Sequence, residues 1–157
     1  MPKYFADEHD FKAFPELTNS QLQNYGFGSP HVQLTEDFEA EVVRVHDGDT
    51  MTLRTESRDF DFPVRLANVD TPELNAGQAG IDARDFVKSM VEGEMVTVKI
   101  NRFNRVGKYG RLIGDIHFAG MSLSDALIRM GYGVPFSERK SSELPDINKT
   151  LRLNQWF

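Results

Sequence analysis

The chain has 157 residues, of which 39% are hydrophobic and 27% charged, with a net charge of −6 and no cysteine. That length suits one domain with a real core and a short appendage. The composition excludes disulfides, thiolate metal sites and a cysteine nucleophile, and no apolar run approaches the roughly eighteen residues of a membrane span.

Residues 1–37 show no sustained periodicity and are rich in turn formers, as in "FPELTNSQ" and "NYGFGSP". They read as an irregular acidic arm, with residues 38–157 forming the domain proper. The start, "MPKYFADEHD", lacks the apolar segment of a secretory signal, so an intracellular setting is expected for the chain in this form, with secretion the alternative if a signal has been removed. Charge is unevenly spread. Residues 1–41 hold eight acids and two bases, which leaves sixteen of each in the remainder. A neutral body is compatible with a polyanionic partner, which an evenly acidic one would repel.

From Phe38 the pattern sharpens. "FEAEVVRV" (38–45), "TMTLRT" (50–55), "FDFPVRLANV" (60–69), "EMVTVKI" (94–100) and "RLIGDIHF" (111–118) are five strand candidates, by alternation or β-branched content. Pro63 marks an edge or bulge within the third. Between the third and fourth, Ala83, Phe86, Val87, Met90 and Val91 repeat at helical spacing, with Gly93 as a stop. After the fifth, Leu123, Ala126, Leu127 and Met130 do the same, opened by Ser122 with Asp125 and closed by Gly131. A last short helix is expected from Pro145 to about Leu153, before Trp156. This order predicts an α+β fold, mainly β, in which a five-stranded barrel of the oligonucleotide-binding (OB) type carries about three helices.

The chemistry gathers at strand ends. Asp47 and Asp49 lie in "HDGDT" (46–50), and "VRLANVDTPE" (64–73) carries Arg65, Asp70 and Glu73. Carboxylates from two strand ends suit a hard cation such as calcium or magnesium. Each motif alone is equally a turn signal, since Asp-Gly favours hairpins and Asp-Thr-Pro ends strands. Lys99, Arg102, Arg105, Lys108 and Arg111 follow one another without an acid, interleaved with Phe103 and Tyr109. That composition suits phosphates and bases, or else a solvated loop. An EF-hand reading of "DGDTMTLRTESR" fails, because Met51, Thr52 and Arg58 stand where that loop needs an oxygen ligand, a glycine and a glutamate. An aspartic-protease reading of Asp70-Thr71 fails for want of a second copy, and the four histidines lack zinc-ligand spacing.

Taken together, "VVRVHDGDTMTL", "VRLANVDTPE", "KYGRLIGDI", "LSDALIRMGYG" and the ending "LRLNQW" resemble, in order and spacing, the staphylococcal-nuclease-like (thermonuclease) family. The resemblance covers roughly residues 38–157. It implies a five-stranded barrel with three helices and calcium-dependent hydrolysis of DNA and RNA phosphodiesters, with little sequence specificity and 3′-phosphate products. Asp49 and Asp70 match that family's calcium carboxylates, and Thr71 matches a residue that gives its backbone carbonyl. Asp47 matches an acid beside them. Glu73 matches the glutamate held against the attacking water, Arg65 and Arg111 the arginines on the scissile phosphate, and Lys108 and Tyr109 contacts to a terminal phosphate. A monomer with no membrane association is expected.

Some features depart from that pattern. "LNAGQAG" (74–80) is a shorter loop, Tyr132 or Phe136 stands in for stacking tyrosines, and the acidic arm lies outside it. The alternative to a nuclease is a non-cleaving nucleic-acid-binding barrel, with an interaction protein recruited through the arm a third reading.

Overall fold

The alternation of β-branched and polar residues builds a closed barrel, seen in a computed structural model that describes residues 15–19, 21, 31–107 and 110–136. The helix expected at 145–153, Trp156, Lys108 and Tyr109 lie outside the described residues. Strands β1 (Phe38–Asp47), β2 (Thr50–Arg54) and β3 (Phe62–Leu66) form an antiparallel meander. A two-residue strand, β4 (Val69–Asp70), and one turn of 3-10 helix (Leu74–Ala76) lead into helix α1 (Gln78–Val91). Strand β5 (Met95–Lys99) then pairs with β1, and β6 (Leu112–Phe118) with β5. The barrel closes where β6 runs parallel to β3, matching Val64 with Leu112 and Leu66 with Gly114. The short strand β7 (Met121–Ser122) and helix α2 (Leu123–Arg129) follow, and β8 (Val134–Pro135) returns to pair with β4. The five-stranded OB-type barrel read from the sequence is therefore the observed fold, with two helices among the described residues.

Each strand aims its apolar face inward. Ala40, Val42 and Val45 of β1 are buried, as are Met51 and Leu53 of β2, Phe62, Val64 and Leu66 of β3, Val96 and Val98 of β5, and Leu112 and Ile116 of β6. The spacing in β1 slips from two to three after Val42, because the pairing with β2 shifts register between Val42 and Arg44. A bulge of this kind twists a strand and re-aims the residues after it, which here are those leading to Asp47 and Asp49. Pro63 pairs only with Thr52 of β2, since β6 joins β3 one residue later. Its missing N–H thus falls where the strand is still an edge.

Helix α1 covers the barrel with Ala83, Val87 and Val91, and Phe86 and Met90 pack at its margin. Gly93, at φ +86°, turns the chain into β5. In α2 the Ser122 hydroxyl accepts the Asp125 N–H at 3.3 Å, and Gly131 at φ +80° follows its end. This is the N-cap and stop expected from the sequence.

The described part of residues 15–37 packs onto the barrel. Leu17 and Leu34 are buried, and so is Glu16, whose carboxylate is held by Arg58 and Arg105. Arg105 belongs to the basic stretch read as suited to phosphates. It is instead buried and paired with an acid, so it offers no charge to a ligand.

Candidate active site

The sharp turn after β3 explains why an arginine precedes the acids in "VRLANVDTPE". Asn68 adopts φ +66°, a left-handed conformation that asparagine tolerates better than most residues. The turn is fixed from outside by the Ser124 hydroxyl donating to the Ala67 carbonyl at 2.6 Å and by the Ala67 N–H donating to Gly114 at 2.9 Å. It points the carbonyls of Leu66 and Val69 at one nitrogen of Arg65, which donates to them at 2.6 and 3.1 Å. The other terminal nitrogen reaches Asp49 Oδ2 at 3.4 Å and Asp70 Oδ1 at 3.2 Å. One guanidinium thus caps a turn and gathers two carboxylates from separate strand ends.

Both acids are only 8% exposed, and Thr50 and Thr71 beside them are similarly covered. Asp49 accepts the Thr71 N–H at 3.2 Å and the Thr50 hydroxyl at 3.2 Å. Arg111 donates to that same Thr50 hydroxyl at 3.2 Å. The two arginines are therefore joined through Asp49 and Thr50. Thr50 was not singled out from the sequence, although it closes "HDGDT"; a hydroxyl between two charged groups leaves no spacing signal.

Asp47 lies outside this cluster and accepts the Asp49 N–H at 3.1 Å. Burial, then its hydrogen bond to and repulsion from the Asp49 carboxylate, push the Asp47 carboxyl up to about 6. Burial acts on Asp49 in the same sense. There the Arg65 guanidinium, with hydrogen bonds from Asp47, Thr71 and Thr50, outweighs it and holds the carboxyl below its ordinary value. Asp49 is thus an anion at neutral pH, as a cation ligand must be.

Glycines permit the close approach that shapes the loop carrying Thr71 and Glu73. A Cβ on Gly80 would stand 2.0 Å from the Glu73 carbonyl oxygen, so α1 can press against that peptide only at a glycine. A Cβ on Gly48 would stand 2.7 Å from the Thr71 hydroxyl. Glu73 itself is exposed and lines the same cleft as Asp47, Asp49, Arg65, Asp70 and Arg111.

That cleft has a volume of about 1380 Å³ and runs from the acids along the outer side of β6 to Lys99, Asn101 and Asn104. Tyr132 and Phe136 also line it. Phe136 lies beneath Arg65, whose guanidinium carbon is 5.3 Å from the ring centroid, whereas Tyr132 packs on Phe86 at 4.8 Å. Lys108 and Tyr109, assigned to a terminal phosphate, fall outside the described residues.

Asp49 and Asp70 supply two buried carboxylates facing one guanidinium nitrogen, and the Thr71 hydroxyl is buried without a hydrogen-bond partner among the described residues. Among those residues no three His, Cys, Asp or Glu side chains converge as a metal cage. Two carboxylates and neutral oxygens would suit a hard cation that keeps much of its water better than they would suit zinc.

The closed five-stranded barrel with its flanking helices is an α+β fold of the OB type. The staphylococcal nuclease homologue family matches residues 63–155, and the chain belongs to that family, with its nuclease-like fold. The chain is also similar to an uncharacterized protein of Bacillus anthracis, 27% identical over 104 residues. The aligned part is 63% of this chain and 48% of that protein, so the chain spans about half the length of that relative. Among the described residues no helix is long and apolar enough to cross a membrane.

Proposed function

We propose that this chain is a calcium-dependent nuclease that hydrolyses phosphodiester bonds of DNA and RNA with little sequence specificity. The observation that carries the reading is the convergence of Asp49 and Asp70 on Arg65, with Glu73 and Arg111 lining the same cleft.

A phosphodiester resists hydrolysis because its charge repels nucleophiles and is redistributed onto its oxygens in the transition state. Asp49, Asp70 and the carbonyl of Thr71 would hold calcium, which when bound supplies positive charge beside the phosphate. Glu73 orients a water and takes its proton as the water oxygen bonds to phosphorus. The bond to the 5′ oxygen breaks, the departing oxygen is protonated from solvent, and a 3′-phosphate remains. Arg111 and Arg65 oppose the charge that develops. A preorganised donor of this kind is worth roughly 3–4 kcal/mol of barrier. Arg65 keeps one nitrogen on the carbonyls of Leu66 and Val69 while the other exchanges its long carboxylate contacts for phosphate oxygens. Its fork, unlike an ammonium, can serve both. Lys108 and Tyr109 would contact a terminal phosphate, with Phe136 and Tyr132 as candidate stacking rings.

The test is incubation with plasmid DNA and with RNA, in calcium and then in chelator, for wild type and Glu73→Gln. Cleavage that needs calcium and is lost in Glu73→Gln is expected. Binding without cleavage in either metal condition would favour the non-cleaving barrel.

A further inference from the structure

The loop between β5 and β6 forms one wall of the cleft, yet much of what holds it comes from before the barrel. Asn101, Asn104, Gly107 and Arg111 of this loop face the cleft. Phe103, on its exposed side, is 92% exposed. Its other side rests on Glu16, Leu17, Asn19 and Leu34. Arg105 donates to the Leu17 carbonyl at 2.9 Å, to the Leu34 carbonyl at 3.1 and 3.2 Å, and to the Glu16 carboxylate at 2.6 Å. The Asn19 side chain donates to the Arg102 carbonyl at 2.9 Å. Glu16 is itself fixed by Arg58 and by the Leu34 N–H at 3.1 Å.

Arg105 is well placed to transmit this anchoring. Its carbonyl accepts the Ile113 N–H at 2.7 Å, two residues past Arg111, and the Gly107 N–H donates to the Arg111 carbonyl at 2.9 Å. Arg111 then reaches Thr50 and through it Asp49. We propose that Glu16 and Arg105 are positioning residues: the N-terminal segment, which precedes the family match, fixes the β5–β6 wall and with it the seating of a polynucleotide phosphate at Arg111. The proposal rests on the nuclease reading for its activity arm. The anchoring has a physical readout of its own.

The test uses the full chain with Glu16→Gln, which keeps the volume but removes the charge. Because a neutral partner for two buried arginines risks unfolding, a second variant, Glu16→Leu with Arg58→Met and Arg105→Met, replaces the whole triad with apolar side chains of similar size. KM and kcat are measured on a single-stranded DNA oligonucleotide in calcium, alongside amide hydrogen exchange. In both variants kcat/KM is expected to fall about tenfold, the order for one lost charge-assisted hydrogen bond, with KM raised and kcat lowered together because Arg111 both seats the phosphate and opposes the charge that develops on it. Exchange should quicken across 101–113 while β1 and β2 keep their protection. Unchanged kcat/KM, or exchange that quickens uniformly through the barrel, would show a merely structural pair and overturn the proposal. A higher kcat/KM would also overturn it, since the segment would then be blocking the cleft. If wild type proves inactive, the nuclease reading fails, and the exchange pattern alone decides the anchor.

Discussion

Two charged triads in this molecule are mirror images of each other. At the cleft one arginine, Arg65, faces two acids, Asp49 and Asp70. Under the β5–β6 loop one acid, Glu16, faces two arginines, Arg58 and Arg105. The buried triad carries an excess positive charge, but it is closed. Backbone carbonyls of Leu17, Val32 and Leu34 accept from its guanidiniums, and Phe60 and Phe62 lie 5.1 and 4.7 Å from Arg58. Such rings and carbonyls offset charge without exchanging with solvent. The cleft triad has an excess negative charge, longer contacts and an opening. The same elements serve as an anchor where carbonyls, a carboxylate and aromatic rings surround the guanidiniums, and as an open cleft where two carboxylates share one guanidinium.

The comparison is sharpened most by Glu73, which belongs to the cleft but to neither triad. Glu73→Gln should lower turnover by ~10²–10⁴ with the fold retained, because the side chain is exposed and its loss uncovers no buried charge. Single-turnover cleavage rates beside a thermal melt check both halves.

Removing the shared acid of the closed triad should act on stability. Glu16→Ala would leave two guanidiniums buried against one another, at a cost of ~3–5 kcal/mol. For a domain of ordinary stability that is a large fraction of the whole. A denaturant midpoint equal to wild type would mean the triad is solvated in solution.

The same deletion of charge at the open triad should behave differently. Asp70→Asn leaves Arg65 with Asp49 and relieves two acids of each other, so stability should shift by no more than ~1 kcal/mol. Calcium affinity should fall instead, since half of the carboxylate set is gone. Calorimetric titration of the variant with calcium, beside a melt in chelator, separates the two effects. Normal calcium binding would remove Asp70 from the ligand set.

Sequence made the open triad far easier to see than the closed one. Strand alternation located β1, β2, β3, β5 and β6, and the Ser122 cap and the Gly93 and Gly131 stops bounded the helices, because those signals are local. Arg65, Asp70 and Glu73 stand within nine residues, and Asp49 sits in a turn motif of its own. Glu16 meets Arg58 across 42 positions and Arg105 across 89. Nothing near "FPELTNSQ" shows that its glutamate is neutralised by residues so distant. A charged residue with a buried partner reads as a solvated one. For the same reason Arg105 reads only as part of a basic stretch facing phosphates or solvent, and the bulge after Val42 blurs the inward face of β1.

The smallest effect concerns Asp47, at the rim between the open triad and solvent. Its carboxyl is pushed up to about 6, from an ordinary 3.8, by burial first and by Asp49 second. In the folded state it therefore binds its proton more tightly than in the unfolded chain. The contribution to stability is full below about pH 4 and is lost as pH rises through about 6. An asparagine never ionises, and its oxygen can still accept the Asp49 N–H. Asp47→Asn in chelator should accordingly match wild type near pH 4 and be modestly more stable than wild type at pH 7.5, the group's partial exposure keeping the gain small. Melting temperatures across that range test it. A difference that is constant with pH would mean that Asp47 titrates as it does in the unfolded chain, and that Asp49 is held as an anion by Arg65 without help from its neighbour.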